Sequence, residues 1–157
     1  MGKFSSFAQL YLRVAIAASY LVFGLDRLGV FGKPGEKDIS WGDWDHFIKY
    51  AAEVMQFLPY SLVTIFAVIA TVAEILSGLL LLVGKWTRAA AIVSGILAFL
   101  YAVSMAISFG IVSPLSYSVF TLSAASFLLA CLPHYKWSFD NPGSRSEERR
   151  VGKECRS

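Results

Sequence analysis

The sequence predicts an all-α integral membrane protein: a four-helix bundle with an interfacial amphipathic helix between spans 1 and 2. Three observations predict it. Of the 157 residues, 56% are hydrophobic and only 16% charged, against roughly 45–50% and 25% in soluble domains. The apolar residues gather into four stretches, about 7–25, 62–83, 89–109 and 115–132, each near the ~20 residues that carry a helix across hydrocarbon. The turns between the later stretches are short, which makes consecutive helices antiparallel neighbours. Helix is the default because a backbone in lipid must satisfy its own N–H and C=O groups.

The first stretch, 7–25, contains Arg13. That charge interrupts the apolar run just before Ala15-Ile16-Ala17, which argues for a retained membrane helix over a cleaved secretory leader. The long connection from Gly29 to Ser61 opens with Gly29, Gly32, Pro34 and Gly35, a loop signature. From Trp44 onward, apolar residues recur at three and four (Phe47, Ile48, Ala51, Val54, Met55, Leu58). The spacing predicts an amphipathic helix over 44–58, lying on the membrane surface. Pro59 ends it and opens the second span.

The spans over 62–83 and 89–109 flank Gly84-Lys85-Trp86-Thr87-Arg88, a polar turn with an interfacial Trp. Gly110 to Pro114 forms a second short turn before the fourth span, 115–132. Ser94, Ala98, Ala102 and Ala106, and likewise Ser118, Ser126 and Ala130, form small-residue stripes that let helices approach closely. Trp41, Trp44, Trp86, Tyr135 and Trp137 lie outside the spans, as an aromatic belt does. Basic residues number four on each side. The tightness of the Lys85/Arg88 turn gives its charges more weight and places both termini in the cytoplasm.

Residues 1–143 read as one membrane domain. Residues 144–157 (SRSEERRVGKECRS) change abruptly to charged composition and resemble cloning or sequencing-adapter read-through; they are read as a disordered tail outside the fold. The tail holds five of the 14 basic and three of the 11 acidic residues, so the remainder is nearly neutral and no nucleic-acid partner is implied. It also holds Cys155. Cys131 is then the one remaining cysteine, expected as an inert buried thiol near a span end, and a thiol–disulfide mechanism lacks its second sulfur.

Two charges inside the spans stand out, because an ionised group at the bilayer centre costs about 2.5–3.5 kcal/mol and faces protein or water. On the first helix Gln9, Arg13, Ala17, Tyr20, Gly24 and Arg27 share a face; on the second span Ala67, Ala70, Glu74, Gly78 and Leu81 do. Measured from the ends of the apolar runs, Arg13 lies roughly 9 Å deep and Glu74 roughly 13–14 Å. The expectation is an Arg13–Glu74 ion pair inside the bundle. Such a pair fixes helix register, or else Arg13, Tyr20, Arg27 and Glu74 line a polar cavity that receives a quinone head group or relays a proton. Asp26-Arg27 reads first as an interfacial anchor.

Other chemistries are set aside. His46 and His134 fall on opposite sides of the membrane, so they cannot share a haem. No span carries a metal-ligand cluster, and there is no GxGxxG or P-loop. Four short spans with no Pro- or Gly-broken helix and no clear inverted repeat argue against a small transporter.

Three segments carry a family resemblance. Leu12-Arg13 with Phe23-Gly24-Leu25-Asp26-Arg27-Leu28 resembles an R…F-x-x-G-x-x-K-L element, with Arg27 at the Lys position. Glu74-Ile75-Leu76-Ser77-Gly78-Leu79-Leu80-Leu81-Leu82-Val83-Gly84-Lys85-Trp86-Thr87-Arg88 resembles E-x-x-x-G-L-x-L-L-x-G-x-x-T-R. Lys136-Trp137-Ser138-Phe139-Asp140 is similar to a closing R-x-S-L-D. These are motifs of the DoxX family of small bacterial four-span membrane proteins, and the resemblance covers roughly residues 8–140. It implies residence in the bacterial inner membrane and an association with membrane oxidoreductase complexes that handle quinones or oxidative and thiol stress. The redox cofactor and substrate chemistry would sit in a partner protein. The wider superfamily also holds chaperones and cargo receptors, so a non-catalytic scaffold or assembly factor is the rival reading. A homo-oligomer is left open.

Overall fold

The computed structural model describes residues 3–133, 135 and 138–140. His134, Lys136, Trp137 and the whole of 144–157, including the expected artefactual tail, lie outside the described residues. Among those described, every regular element is helical: α1 Lys3–Asp26, α2 Trp44–Val54, α3 Tyr60–Val83, α4 Thr87–Phe109, α5 Val112–Ser116 and α6 Val119–Ala130. α1, α3 and α4 are each long and apolar enough to cross a membrane.

The long helices pack in chain order. α1 lies against α3, α3 against α4 and α4 against α6, and α6 touches α1 again. Small residues make the seams. A Cβ on Gly78 would come within 3.2 Å of the Ala17 carbonyl oxygen and 2.9 Å of Leu21, so the α1–α3 contact needs glycine there. At the α4–α6 seam, Ser123 donates to the Gly95 carbonyl at 2.8 Å. The faces read from sequence are borne out. Gln9, Arg13, Ala17, Tyr20, Gly24 and Arg27 are all buried, as are Ala67, Ala70, Glu74, Gly78 and Leu81. Val68, Val72, Leu76 and Leu79, on the opposite side of α3, are exposed. An aliphatic exterior around a polar-centred interior suits lipid outside and protein within.

Three expectations are corrected. The fourth apolar stretch is not one span. α5 ends at Ser116, Ser118 adopts a left-handed φ of 55°, and α6 begins at Val119. The Ser118 amide closes a tight turn onto Leu115 O at 3.0 Å, and Leu122 N opens the next helix onto Ser118 O. The 12 residues of α6 rise only about 18 Å. The apolar stretch is therefore interrupted, at a serine and not at a Pro or Gly.

The amphipathic segment is helical only over Trp44–Val54. Its apolar face does not lie on a membrane surface: Phe47, Ile48 and Ala51 pack on Val63 and Ala67 of α3 as a second core. The Asp43 carboxylate caps this helix by accepting from the His46 amide at 2.8 Å. That hydrogen bond, with the His46 side chain, holds Asp43 below the usual carboxylate range. The far end of α2 is latched to α4, with Ser108 Oγ donating to Val54 O at 2.7 Å and Gln56 donating to Ser108 O at 3.1 Å.

Cys131, expected to be buried, is exposed: it follows the last residue of α6, where Leu129 and Ala130 take the buried positions.

Candidate functional site: a buried ion pair under an aromatic lid

Glu74 sits on the buried face of α3 and is 2% exposed. Its partner is Arg27, one residue past the end of α1. Arg27 Nη1 lies 2.7 Å from Glu74 Oε2, and Nη2 donates to Oε1 at 3.4 Å. Nη1 also donates to Thr71 Oγ1 at 3.0 Å, one helical turn from Glu74. Nη2 makes the hydrogen bond, whereas Nη1 makes a close ion-pair contact without hydrogen-bond geometry, so Glu74 Oε2 accepts no hydrogen bond among the described residues. The pair is closed from the loop side by rings: Arg27 Cζ lies 4.1 Å from the Phe47 ring centroid and 5.1 Å from that of Trp41, within cation–π range.

Asp26, next in the chain, positions that lid. It is 4% exposed, and its Oδ2 accepts the Ser40 and Trp41 amides at 3.2 and 2.9 Å. The connection therefore folds back over the end of α1 and carries Trp41 to Arg27. The loop needs left-handed glycines to do so: Gly29 has φ +72°, and a Cβ there would meet Gly42 O at 2.9 Å. Two tyrosines from neighbouring helices complete the polar centre. Tyr101 of α4 buries its hydroxyl without a hydrogen-bond partner among the described residues, within electrostatic reach of Glu74 and Arg27, and Tyr20 of α1 donates to Ser94 O of α4 at 2.6 Å.

The expected Arg13–Glu74 pair is therefore corrected to Arg27–Glu74. Arg13 and Arg27 stand 14 residues apart, about 21 Å along a helix, so one carboxylate cannot serve both. The depth argument failed on an assumption, that the apolar runs of α1 and α3 begin and end in the same plane. They are staggered. Arg13 Nη1 lies at Gly84, beyond the end of α3, where a Cβ would meet it at 2.8 Å, whereas Gly24 faces Ile75. The structure thus brings Tyr20, Arg27 and Glu74 into one region and puts Arg13 at the opposite end of the helix.

At that opposite end a second polar unit forms. Asp140 accepts the Trp86 and Thr87 amides, each at 2.6 Å, and so caps α4 from 53 residues away. Ser138 Oγ donates to the Gly84 carbonyl, and the Asp140 amide donates to the same oxygen. Burial pushes the Asp140 carboxyl up. The Thr87 and Trp86 amides and the charge of Arg13 outweigh this and leave it below the usual carboxylate range.

Sequence reasoning missed the site roles of Thr71, Tyr101, Trp41, Phe47 and Asp140. Thr71 was legible as the residue one turn before Glu74 on the same face. As the one Tyr in the third span, Tyr101 could have been picked out. Trp41, Phe47 and Asp140 read as a belt residue, an apolar-face residue and the end of a motif, but nothing local marks the partners they take here.

Two cavities are open at the surface. One, of about 500 Å³, lies between Trp86, Arg88, Ile92 and Tyr135. The other, of about 390 Å³, lies between the end of α1 and the loop over Phe31–Ser40. Neither is lined by Arg13, Tyr20, Arg27 or Glu74. Among the described residues, no group of three or more His, Cys, Asp or Glu side chains is placed to hold a metal ion.

Compared with known families, residues 8–110 match the family model described as DoxX. No curated protein and no solved structure matches the chain.

Proposed function

Starting from a chain that belongs to the DoxX family, we propose that it serves as a membrane subunit or accessory of a quinone-linked oxidoreductase complex in the bacterial inner membrane. It crosses four times, with α5 and α6 together making the fourth crossing, and both termini face the cytoplasm. The redox association rests on the motif resemblance around Arg13, Arg27 and Glu74–Arg88.

The observation that carries the assignment of roles is the closed Arg27–Glu74 pair. The donors around it, a guanidinium and two phenols, suit a quinone carbonyl in chemistry. The space does not: Arg27 is filled in by Phe47, Trp41 and Thr71, and the two cavities lie elsewhere. Arg27, Glu74 and Tyr20 therefore hold α1, α3 and α4 in register, Arg13 holds the α3–α4 turn, and the quinone chemistry belongs to the partner protein. Mild-detergent purification from native membranes tests this. Co-purification of flavin- or iron–sulfur-containing subunits with quinone reductase activity supports it.

The same closure favours a second reading, a non-catalytic scaffold, chaperone or assembly factor with no redox partner. Co-purification of clients without quinone reductase activity supports that one. Saturable quinone binding to the isolated chain, lost in Glu74→Gln, would restore a ligand role to the pair and contradict both.

A further inference from the structure

The cavity at the α3–α4 turn lies at a level that these two helices fix by themselves. α3 and α4, of 24 and 23 residues, each rise about 35 Å against ~30 Å of hydrocarbon. The turn that joins them therefore falls at a lipid–water boundary. α1 is offset along α3 and does not set this level. Trp86 and Arg88, both exposed, stand on the cavity wall with Ala89 and Ile92. Arg88, Ile92, Ile96 and Phe99 follow one another on a single face of α4, and all four are exposed or nearly so. The cavity thus opens at the head of an apolar stripe that runs into the membrane. Its volume of about 500 Å³ falls within the ~300–1,000 Å³ typical of small-ligand sites.

The polar groups on the wall select the ligand. Asp140 is committed: its two oxygens accept the Trp86 and Thr87 amides, and the charge of Arg13 acts on it. The Tyr135 hydroxyl is committed too, donating to Leu129 O at 3.1 Å. Arg88 takes part in no hydrogen bond or ion pair among the described residues. What remains is one guanidinium, whose planar set of donors fits phosphate, beside an indole ring of the kind that settles at head-group level. Lys85 is exposed on the same turn but off the cavity wall, with Nζ 5.8 Å from the Trp86 ring centroid. Arg13, Lys85 and Arg88 outnumber Asp140 at this end, so the local charge is positive. We propose that this cavity binds the head group of an anionic phospholipid, of the phosphatidylglycerol type. The phosphate lies on Arg88, the glycerol beside Trp86, and the acyl chains along Ile92, Ile96 and Phe99. A head group with its own ammonium would bring a cation to a guanidinium and find the one acid on the wall already engaged. The site requires only that α3 and α4 cross the membrane, and it is independent of any redox partner.

Native mass spectrometry of the full chain, released from micelles doped equally with phosphatidylglycerol and phosphatidylcholine, tests it. The expected result is about a fivefold preference for phosphatidylglycerol, the effect of one basic side chain beside an anionic lipid. Arg88→Gln, at an exposed position, brings the two lipids to near parity. Ala89→Trp, which fills the cavity and leaves Arg88 in place, does the same. Lys37→Gln, in the loop beyond the other end of α1, changes nothing. Equal retention of the two lipids by the wild-type chain overturns the proposal, as does a preference that survives either Arg88→Gln or Ala89→Trp. An equal loss in Lys85→Gln would overturn it by showing a diffuse charge effect in place of a site. Displacement of the lipid by inorganic phosphate at equal concentration would overturn it by showing a plain anion site in which the acyl chains take no part.

Discussion

Arg27 and Glu74 are 47 positions apart in sequence and 2.7 Å apart in space, and the helices that carry them are out of step. α1 ends level with the middle of α3, so the residue just past its end reaches a carboxylate deep in a neighbouring helix. The stagger leaves the first half of α3 without α1 beside it, and α2 with its loop fills that space. The lid over the pair and the second core around Phe47 thus follow from one offset.

The close α1–α3 seam gives the first prediction. Gly78→Val places side-chain atoms where Leu21 and the Ala17 carbonyl already lie. Overpacking of this kind costs about 1–3 kcal/mol. Gly78→Ala, which adds only the Cβ, should cost less. Thermal unfolding in detergent ranks the two, and equal Tm values for Val and wild type would contradict the packing described.

Asp140 gives a pH prediction. Its folded-state pKa is lowered, so its contribution is present above the unfolded value of about 4 and is lost as pH falls through the folded value. The Tm gap between wild type and Asp140→Ala should be full at about pH 6 and should close on acidification below about pH 4. Removing an N-cap acceptor costs about 0.5–2 kcal/mol, so the gap at neutral pH is modest but measurable.

The latch between α2 and α4 gives a third. Ser108→Ala removes the hydrogen bond to Val54 O, worth about 0.5–1.5 kcal/mol. The effect should be local: hydrogen exchange should quicken at the α2 end near Val54, with the α4–α6 seam unchanged. Uniform acceleration across all helices would show that α2 does not open on its own.

Much of this fold is legible in the sequence, and the failures have a common cause. The buried faces of α1 and α3 follow from 100° per residue and the placement of Arg13, Tyr20, Arg27 and Glu74, because periodicity is a local property. The partner of Glu74 is not local. It depends on the relative height of two helices, and apolar runs do not mark where each helix sits against its neighbour. The face of α2 is legible for the same reason that its destination is not: Phe47, Ile48 and Ala51 suit lipid and α3 equally. The break at Ser118 has no glycine at the left-handed position, so nothing in composition signals it. Asp140 caps α4 across 53 residues, a relationship that no window of sequence contains.

The most direct measurement is a double-mutant cycle on Arg27 and Glu74, followed by unfolding in detergent or bicelles. Arg27→Met or Glu74→Leu alone strands a buried charge and should cost about 3–5 kcal/mol, whereas the double variant should regain much of that loss. Arg13→Met with Glu74→Leu should be additive, because the two sites lie at different levels of the bundle. Coupling between Arg13 and Glu74 together with additivity between Arg27 and Glu74 would contradict the stagger and everything placed upon it.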